Sequence, residues 1–395
     1  MIPISKINIY NKNKPIVDYR FKIIYTIAMM SVISSHCEGK GSIELNIQNW
    51  FPYRSFHMPL FMFAAGYFFK KKNVESTIIY IKKKFLKLIL RIYLYNIFYG
   101  FYIQYLKKLG FRKRIRAFSF RIIFIEPLGG MGFRNIRSSW FSSTLFFVEV
   151  YNILKRKIVS ILICKKEVHE LIYFLFDLFI SSQSIIYSNK GYFKSGLYLH
   201  ILRILHLNIY YQFGIFYNKH LEENLNLIRN EIYFFLIFAS KLCFHLYYSK
   251  VISFYYAGCN YGGYSPFTVI SISILGIVFW TRISEILEPF IGKNYYINII
   301  ADNTFSIMIN HILALDLVKV FFAYLSRKTK YCKDFNFYRY YALDVFYIYI
   351  PNNVLQTGII YYLSCLILPI IIQKLITKIK NQIVKNLFLN KIHYF

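Results

Sequence analysis

Residues 56–72 of this chain are FHMPLFMFAAGYFFKKK, an apolar run that opens next to His57 and ends in three lysines. A second apolar run, residues 21–35, precedes it and leads into His36, and a polar loop with Trp50 and Pro52 joins the two. Apolar runs with aromatic and basic flanks are typical of membrane-crossing helices. The two runs therefore predict a helical hairpin in a membrane, with His36 at a membrane–water boundary and facing the second helix.

Composition supports a membrane protein. Of the 395 residues, 56% are hydrophobic and 21% aromatic, more than soluble globular proteins use. The formal net charge of +31 comes from Lys and Arg residues that punctuate the apolar runs and do not gather in one polar domain. This distribution favours a lipid bilayer as the partner, and we expect no nucleic-acid binding.

Eight further apolar segments follow the hairpin, at residues 85–105, 140–154, 171–187, 197–217, 232–248, 267–287, 297–324 and 354–376. Together with the first two, they predict an all-α fold, a polytopic transmembrane bundle of about ten helices. No internal repeat or flexible linker divides the chain, so we expect a single domain over residues 1–395.

Basic residues in the short loops predict the orientation of the bundle. Lys6, Lys12 and Lys14 precede the first helix, and the lysines of the last segment follow the tenth, so both termini should be cytoplasmic in a multi-pass protein of the cell membrane. The loop at residues 106–138 would then lie outside although it is strongly basic. Either it binds an anionic sugar or lipid there, or the helix count is off by one before Trp140.

Four motifs suggest a family. They are the hairpin with His36, the segment SWFSSTLF at 139–146, the segment QFGIFY at 212–217, and the segment DNTFSIMINH at 302–311. In this order they resemble the acyltransferase 3 family, integral-membrane enzymes that O-acylate sugars and polysaccharides. The resemblance implies an acyl-CoA donor, most simply acetyl-CoA, with no permanently bound cofactor. It also implies a glycan or lipid-linked sugar as the acceptor.

The resemblance places the catalytic histidine of the family at His36. Acyl transfer to a hydroxyl needs a group that takes the hydroxyl proton near neutral pH, and imidazole suits this role. His36 is thus predicted to be a general base or, alternatively, a transient acyl carrier. The alternative without catalysis is a hydrogen-bonded histidine at the membrane interface.

The family carries Arg or Lys eleven residues before this histidine, where this chain has Tyr25. On a helix with about 100° per residue, Lys22 lies about 40° from His36 and shares its face, whereas Arg20 lies about 160° away. Lys22 is therefore predicted to replace the missing basic residue in catalysis. Its alternative role is to reach the inner lipid headgroups.

Other polar residues near the motifs are candidates for binding. Arg54, His57 and His311 are predicted to bind substrate, although His311 can also serve as a hydrogen-bonding residue between helices. Lys70, Lys71 and Lys72 are predicted to attract the phosphates of acyl-CoA, or else only to set the topology. The six cysteines show no metal-ligand spacing, so no metal site is predicted.

Two alternatives to an acyltransferase stay open. In one, the ionisable residues inside the apolar segments line the pathway of a polytopic transporter or lipid-binding protein. In the other, the chain is a catalytically inactive member of the family.

Overall fold

The computed structural model describes residues 17–37, 50–113, 115–162, 168–191, 196–341, 347–351, 354 and 356–392. This part of the chain is helical and has no β-strand, with one isolated bridge between Tyr255 and Asn260. Lys6, Lys12 and Lys14, which support the predicted orientation, lie outside the described residues. The all-α class predicted from the sequence is confirmed.

The helices of the first half are α1 Tyr19–Cys37, α2 Tyr53–Tyr67, α3 Lys72–Glu75, α4 Thr77–Lys84, α5 Leu90–Lys108, α6 Ser139–Leu162 and α7 Glu170–Asn189. Those of the second half are α8 Gly196–Phe216, α9 Glu222–Asn226, α10 Asn230–Tyr248, α11 Pro266–Ile291, α12 Tyr295–Asp302, α13 Thr304–Lys328, α14 Phe337–Tyr341 and α15 Thr357–Ile392. Each of the predicted apolar segments overlaps one of the long helices.

Two segments differ from their prediction. The helix at the predicted segment 85–105 is longer than predicted, because α4 continues into α5 through a π-helical turn at Phe85–Ile89. The segment at 297–324 is divided at Asn303, where the backbone leaves the helical region and separates α12 from α13. Polar Asp302 and Asn303 stand at this break, and the Asp302 carboxylate pairs with Lys22. A break in a helix is favoured where polar side chains can satisfy the freed backbone groups.

Helices able to cross a membrane are present. Within the part of the chain that the structure describes, the helices with sufficient length and apolar composition are α7, α11, α13 and residues 357–382 of α15. On α7 and α15 most of the apolar surface faces outward, and Phe179 and Ile367 are more than half exposed. Exposed apolar surface of this extent indicates contact with lipid, so the fold is that of a membrane protein.

The core of the bundle is built around α2, which packs on α1, α8 and α11. Pro59 lies inside α2 and has no N–H to donate to the carbonyl of Ser55 four residues earlier. The Tyr256 hydroxyl donates to that carbonyl instead, at 3.0 Å, and also contacts Ser273 of α11 at 2.6 Å. The carbonyl that Pro59 leaves free thus connects α2 to the segment that precedes α11.

The basic loop between α5 and α6 contains only short turns of π and 3-10 helix in its described residues, so no extra long helix lies there. Much of its charge is paired within the protein. Arg112 is buried against Asp316 of α13 and donates to the carbonyl of Tyr340 at 2.8 Å. Arg116 and Arg121 both contact Glu126, at 2.9 and 3.1 Å. These pairs order the loop over one end of the bundle.

Candidate functional site

A cavity of about 590 Å³ lies where α1 ends and α2 begins. Its walls come from α6, α8 and α13 and from the segments at residues 129–131 and 254–258. Ligand cavities in proteins commonly have volumes of about 300–1,000 Å³, so this one has room for a sugar-sized group. His36, Arg54, His57 and His311, which come from three helices, all line it. The structure therefore brings together four of the residues predicted from the sequence.

His36 and His311 lie next to each other in the wall of this cavity. Their rings lie with centroids 4.9 Å apart and planes inclined by 48°. His36 is half-buried in the last turn of α1, and His311 is completely buried in α13. The two side chains meet because α12 and α13 pack along α1, where the hydroxyl of Thr26 donates to the carbonyl of Ile297 at 3.0 Å.

The hydrogen bond of His311 determines which ring nitrogen is basic. Its Nδ1 lies 3.0 Å from the carbonyl oxygen of Ile307, one turn earlier in α13. A carbonyl only accepts hydrogen bonds, so Nδ1 must carry a proton, and Nε2 holds the lone pair in the neutral ring. Nε2 is buried and has no hydrogen-bond partner among the described residues. His311 therefore presents a proton acceptor in the interior of the bundle.

His57 is held in the same way. Its Nδ1 contacts the carbonyl oxygen of Tyr53 one turn earlier in α2, so this nitrogen also carries a proton. The ring lines the cavity and is otherwise buried. Helix geometry explains both bonds, since a histidine side chain points back toward the preceding turn.

Three arginines give the cavity its positive charge: Arg54, Arg137 and Arg203. A guanidinium nitrogen of Arg54 lies 3.4 Å from the carbonyl of Ser35. Arg203 donates to the carbonyls of Ala257 and Gly129, the latter at 3.1 Å, and lies over the Trp140 ring. None of the described residues that line the cavity is Asp or Glu. The cavity is therefore suited to an anionic or strongly polar ligand.

Sequence reasoning missed Arg137, Arg203 and Trp140 as site residues. Arg203 could have been found from its position inside the apolar segment of α8, because ionisable residues within such segments are costly and often functional. Arg137 stood among many basic residues of one loop and could not be distinguished from them. Trp140 was noticed only as part of a motif.

A thiol nucleophile is disfavoured at this cavity. Cys259 follows Gly258, which lines the wall, but burial raises the pKa of its thiol to about 11. A thiol with such a pKa is almost entirely protonated at neutral pH, and the thiolate is the nucleophilic form. The described residues contain no cluster of His, Cys, Asp and Glu that would hold a metal ion.

Lys22 and the lysines at 70–72 lie far from the cavity. Lys22 is about 21 Å from His36 along the axis of α1 and pairs with Asp302. Lys70, Lys71 and Lys72 are exposed and follow the end of α2 opposite to His57. The predicted donor-binding lysines and the histidines are thus on opposite ends of the bundle.

No family model, curated protein or solved structure matches this chain.

Proposed function

We propose that this chain is a multi-pass O-acyltransferase of the cell membrane, with about ten transmembrane helices, that transfers an acyl group from acyl-CoA to a sugar hydroxyl. The observation that carries the proposal is the pair of histidines, His36 and His311, which lie next to each other in the wall of a cavity that three arginines also line. His311 supports it most directly, because its Nε2 lone pair is buried and has no partner among the described residues.

His36 is the proposed general base. It takes the proton from the acceptor hydroxyl, and the hydroxyl oxygen forms an ester bond with the carbonyl carbon of the thioester. The C–S bond then breaks, and the proton passes to the thiolate of coenzyme A, so atoms and charge balance. General bases of this kind contribute about 10²- to 10⁴-fold to the rate. His311 holds the imidazole of His36 in position, because its Nε2 can accept a hydrogen bond from the N–H of that ring.

The arginines supply the second part of the chemistry. The carbonyl oxygen of the thioester becomes negatively charged in the transition state, and fixed positive groups near that oxygen lower the barrier. Arg54, Arg137 and Arg203 line the cavity and are the proposed source of this positive charge. The same charges favour an anionic acceptor, such as an acidic sugar or a sugar linked to a lipid phosphate.

The two ends of the bundle suit two substrates from opposite sides of the membrane. Lys70, Lys71 and Lys72 are exposed at the end that we assign to the cytoplasm, where acyl-CoA is available. The cavity opens at the other end, beneath the loops at 129–138 and 254–258. The thioester must therefore travel about 20 Å between them, roughly the length of α2.

The test uses purified protein in liposomes, with acetyl-CoA on the side of Lys70 and candidate sugars on the opposite side. The readouts are acceptor-dependent release of free coenzyme A thiol and acetyl ester on the sugar. We expect His36→Ala to reduce both by about 10²-fold or more, whereas His220→Ala should leave them unchanged, because His220 lies at the opposite end of the bundle, just after α8. Undiminished ester formation by the His36→Ala protein would contradict the proposal.

A further inference from the structure

A second cavity, of about 360 Å³, lies on the side of the bundle next to α10. Its wall is formed by the residues just before α2, by α10 and α11, and by the segment between α10 and α11. The residues around it are Trp50, Pro52, Lys241, Phe244, His245, Lys250, Val251, Ile252 and Ile272. None of them lines the cavity of His36, so this is a separate place in the fold.

Lys241 is the unusual residue of this cavity. It is only 6% exposed and continues the buried stripe of α10 formed by Tyr233 and Ile237, at intervals of one helical turn. No described residue forms a hydrogen bond or an ion pair with its ammonium group. The ammonium lies 4.9 Å from the centre of the buried Phe51 ring, which partly compensates its charge.

An unpaired ammonium in this position is costly. Withdrawing a charge from water without a partner is unfavourable, and an apolar residue would fill the buried stripe without this penalty. His245 lies one turn further along α10, and Lys250 follows shortly after the helix ends. The described residues that line this cavity include Lys241, His245 and Lys250 and no carboxylate, which suits an anionic ligand.

The surroundings identify the source of the anion. Next to the buried stripe, α10 exposes a row of large apolar side chains: Ile232, Phe235, Leu236, Leu242 and Leu246. Trp50 stands at the rim of the cavity, with its ring edge against Phe238. Trp is enriched where membrane and water meet. A ligand with its anionic group at Lys241 and its hydrocarbon chains along the outer face of α10 matches both features.

We infer that this cavity binds the phosphate group of a membrane lipid, with Lys241 as the buried cation and with His245 and Lys250 at the opening. The apolar chains of the lipid lie along the exposed face of α10. This site does not depend on the proposed acyltransferase activity, since it shares no residue with the cavity of His36.

The experiment measures binding to purified protein in a neutral detergent through the fluorescence of Trp50. The probes are dihexanoyl phosphatidic acid, dihexanoyl phosphatidylcholine and inorganic phosphate, and Trp50→Phe identifies the responding signal. We expect the anionic lipid to change the Trp50 emission at concentrations at least tenfold lower than either of the other two probes. Lys241→Met should weaken this binding by at least tenfold, because it removes the charge and keeps the length of the side chain.

Lys241→Arg, which keeps the charge, should retain most of the affinity. Lys107→Met is the matched control, because Lys107 is exposed at the end of α5 and lines neither cavity. Folding should not limit the Lys241→Met protein, since an apolar side chain suits a buried position better than an unpaired ammonium. Its thermal unfolding should occur at the same or a higher temperature than that of the original protein.

Three outcomes would overturn the inference. If inorganic phosphate binds as tightly as phosphatidic acid, the site takes free phosphate and not a lipid. If phosphatidylcholine binds equally well, the apolar chains alone determine the affinity. If Lys241→Met binds the anionic lipid as the original protein does, the buried ammonium has no part in recognition.

Discussion

Gly66 of α2 and Gly214 of α8 lie at a point where the two helix backbones touch. A Cβ atom on Gly66 would lie 1.9 Å from the carbonyl oxygen of Tyr211, and one on Gly214 would lie 2.1 Å from the carbonyl oxygen of Phe63. Small residues allow helices to approach this closely in a membrane, where van der Waals packing holds them together. The placement of His57 in α2 relative to Arg203 in α8 depends on this contact.

Gly66→Ala should therefore destabilise the protein by about 3 kcal/mol, since neither backbone can move without separating the helices. Thermal unfolding in detergent measures the loss. The control is Gly129→Ala, because a Cβ on Gly129 would meet no atom within 4 Å. Equal stability of the Gly66→Ala and Gly129→Ala proteins would contradict the close contact between α2 and α8.

His311→Phe should lower the kcat for acyl transfer by about 10²-fold with little change in the KM for acyl-CoA. The substitution removes the Nε2 lone pair and keeps a ring of comparable size at a fully buried position, and a group that acts in the transition state affects kcat. The measurement is acetyl ester formation per folded molecule. His200→Phe is the control, since His200 is buried in α8 but does not line the cavity. Similar rates for both variants would assign His311 to packing alone.

Arg20 and Lys22 should differ in their effect on stability. Arg20 contacts Asp18, Glu222 and Glu285 at 2.7, 2.6 and 3.4 Å, in a largely buried cluster. Among the described residues, Lys22 forms an ion pair with Asp302 alone, whose side chain is 61% exposed. We expect Arg20→Met to cost about 2–3 kcal/mol of unfolding free energy and Lys22→Met less than about 1 kcal/mol.

Turnover per folded molecule distinguishes this structural effect from the catalytic role predicted for Lys22. Lys22→Met should lower turnover more than Arg20→Met once both are corrected for folded protein. If correction for folding removes the defect of the Lys22 variant, its role is limited to the pair with Asp302.

Replacement of Lys70, Lys71 and Lys72 by glutamine should raise the KM for acyl-CoA at low salt and leave kcat nearly unchanged. Exposed charges attract an anionic substrate over distances that salt shortens, from about 30 Å at 0.01 M to about 8 Å at 0.15 M. The KM of the variant and that of the original protein should therefore converge as salt is added. Equal values at low salt would indicate that these lysines only set the topology.

Both termini and Lys70 should lie on the cytoplasmic side, and Lys107 on the other side. A membrane-impermeant maleimide, applied to intact cells, should label Lys107→Cys and should not label Ile2→Cys, Lys70→Cys or Phe395→Cys. The background should carry serine at each native cysteine, because Cys243 is exposed and Cys332 is partly exposed. Labelling of one terminus and not the other would contradict an even number of crossings.

Much of the fold could be predicted from the sequence. Transfer of a helix from water to lipid depends on its apolar length, which is local, so runs such as residues 21–35 and 267–287 indicated α1 and α11. The division of the segment at 297–324 was less visible, because Asn303 interrupts an otherwise apolar pattern for one residue only.

The site was predicted only in part. His36, His57 and Arg54 are close in sequence and belong to one hairpin, so their proximity follows from the antiparallel arrangement of α1 and α2. His311, Arg203 and Arg137 come from distant segments, and no local pattern states which of their faces meet the hairpin. Tertiary contacts determine which faces meet. Examples are the hydrogen bond from the Tyr256 hydroxyl to the carbonyl of Ser55 and the backbone contact at Gly66.

The sequence by itself determined a helical membrane protein and the hairpin that carries His36, because apolar length and basic flanks act on each segment separately. Only the tertiary structure decided that the ring of His36 lies against that of His311, and that the described residues lining their cavity include three arginines and no carboxylate. It also decided that Lys241 lies buried without an ion pair to any described residue. These features depend on which helices pack together. In lipid, close packing and hydrogen bonding between helices determine the pairs of helices that associate, and the hydrophobic pattern of either helix alone does not.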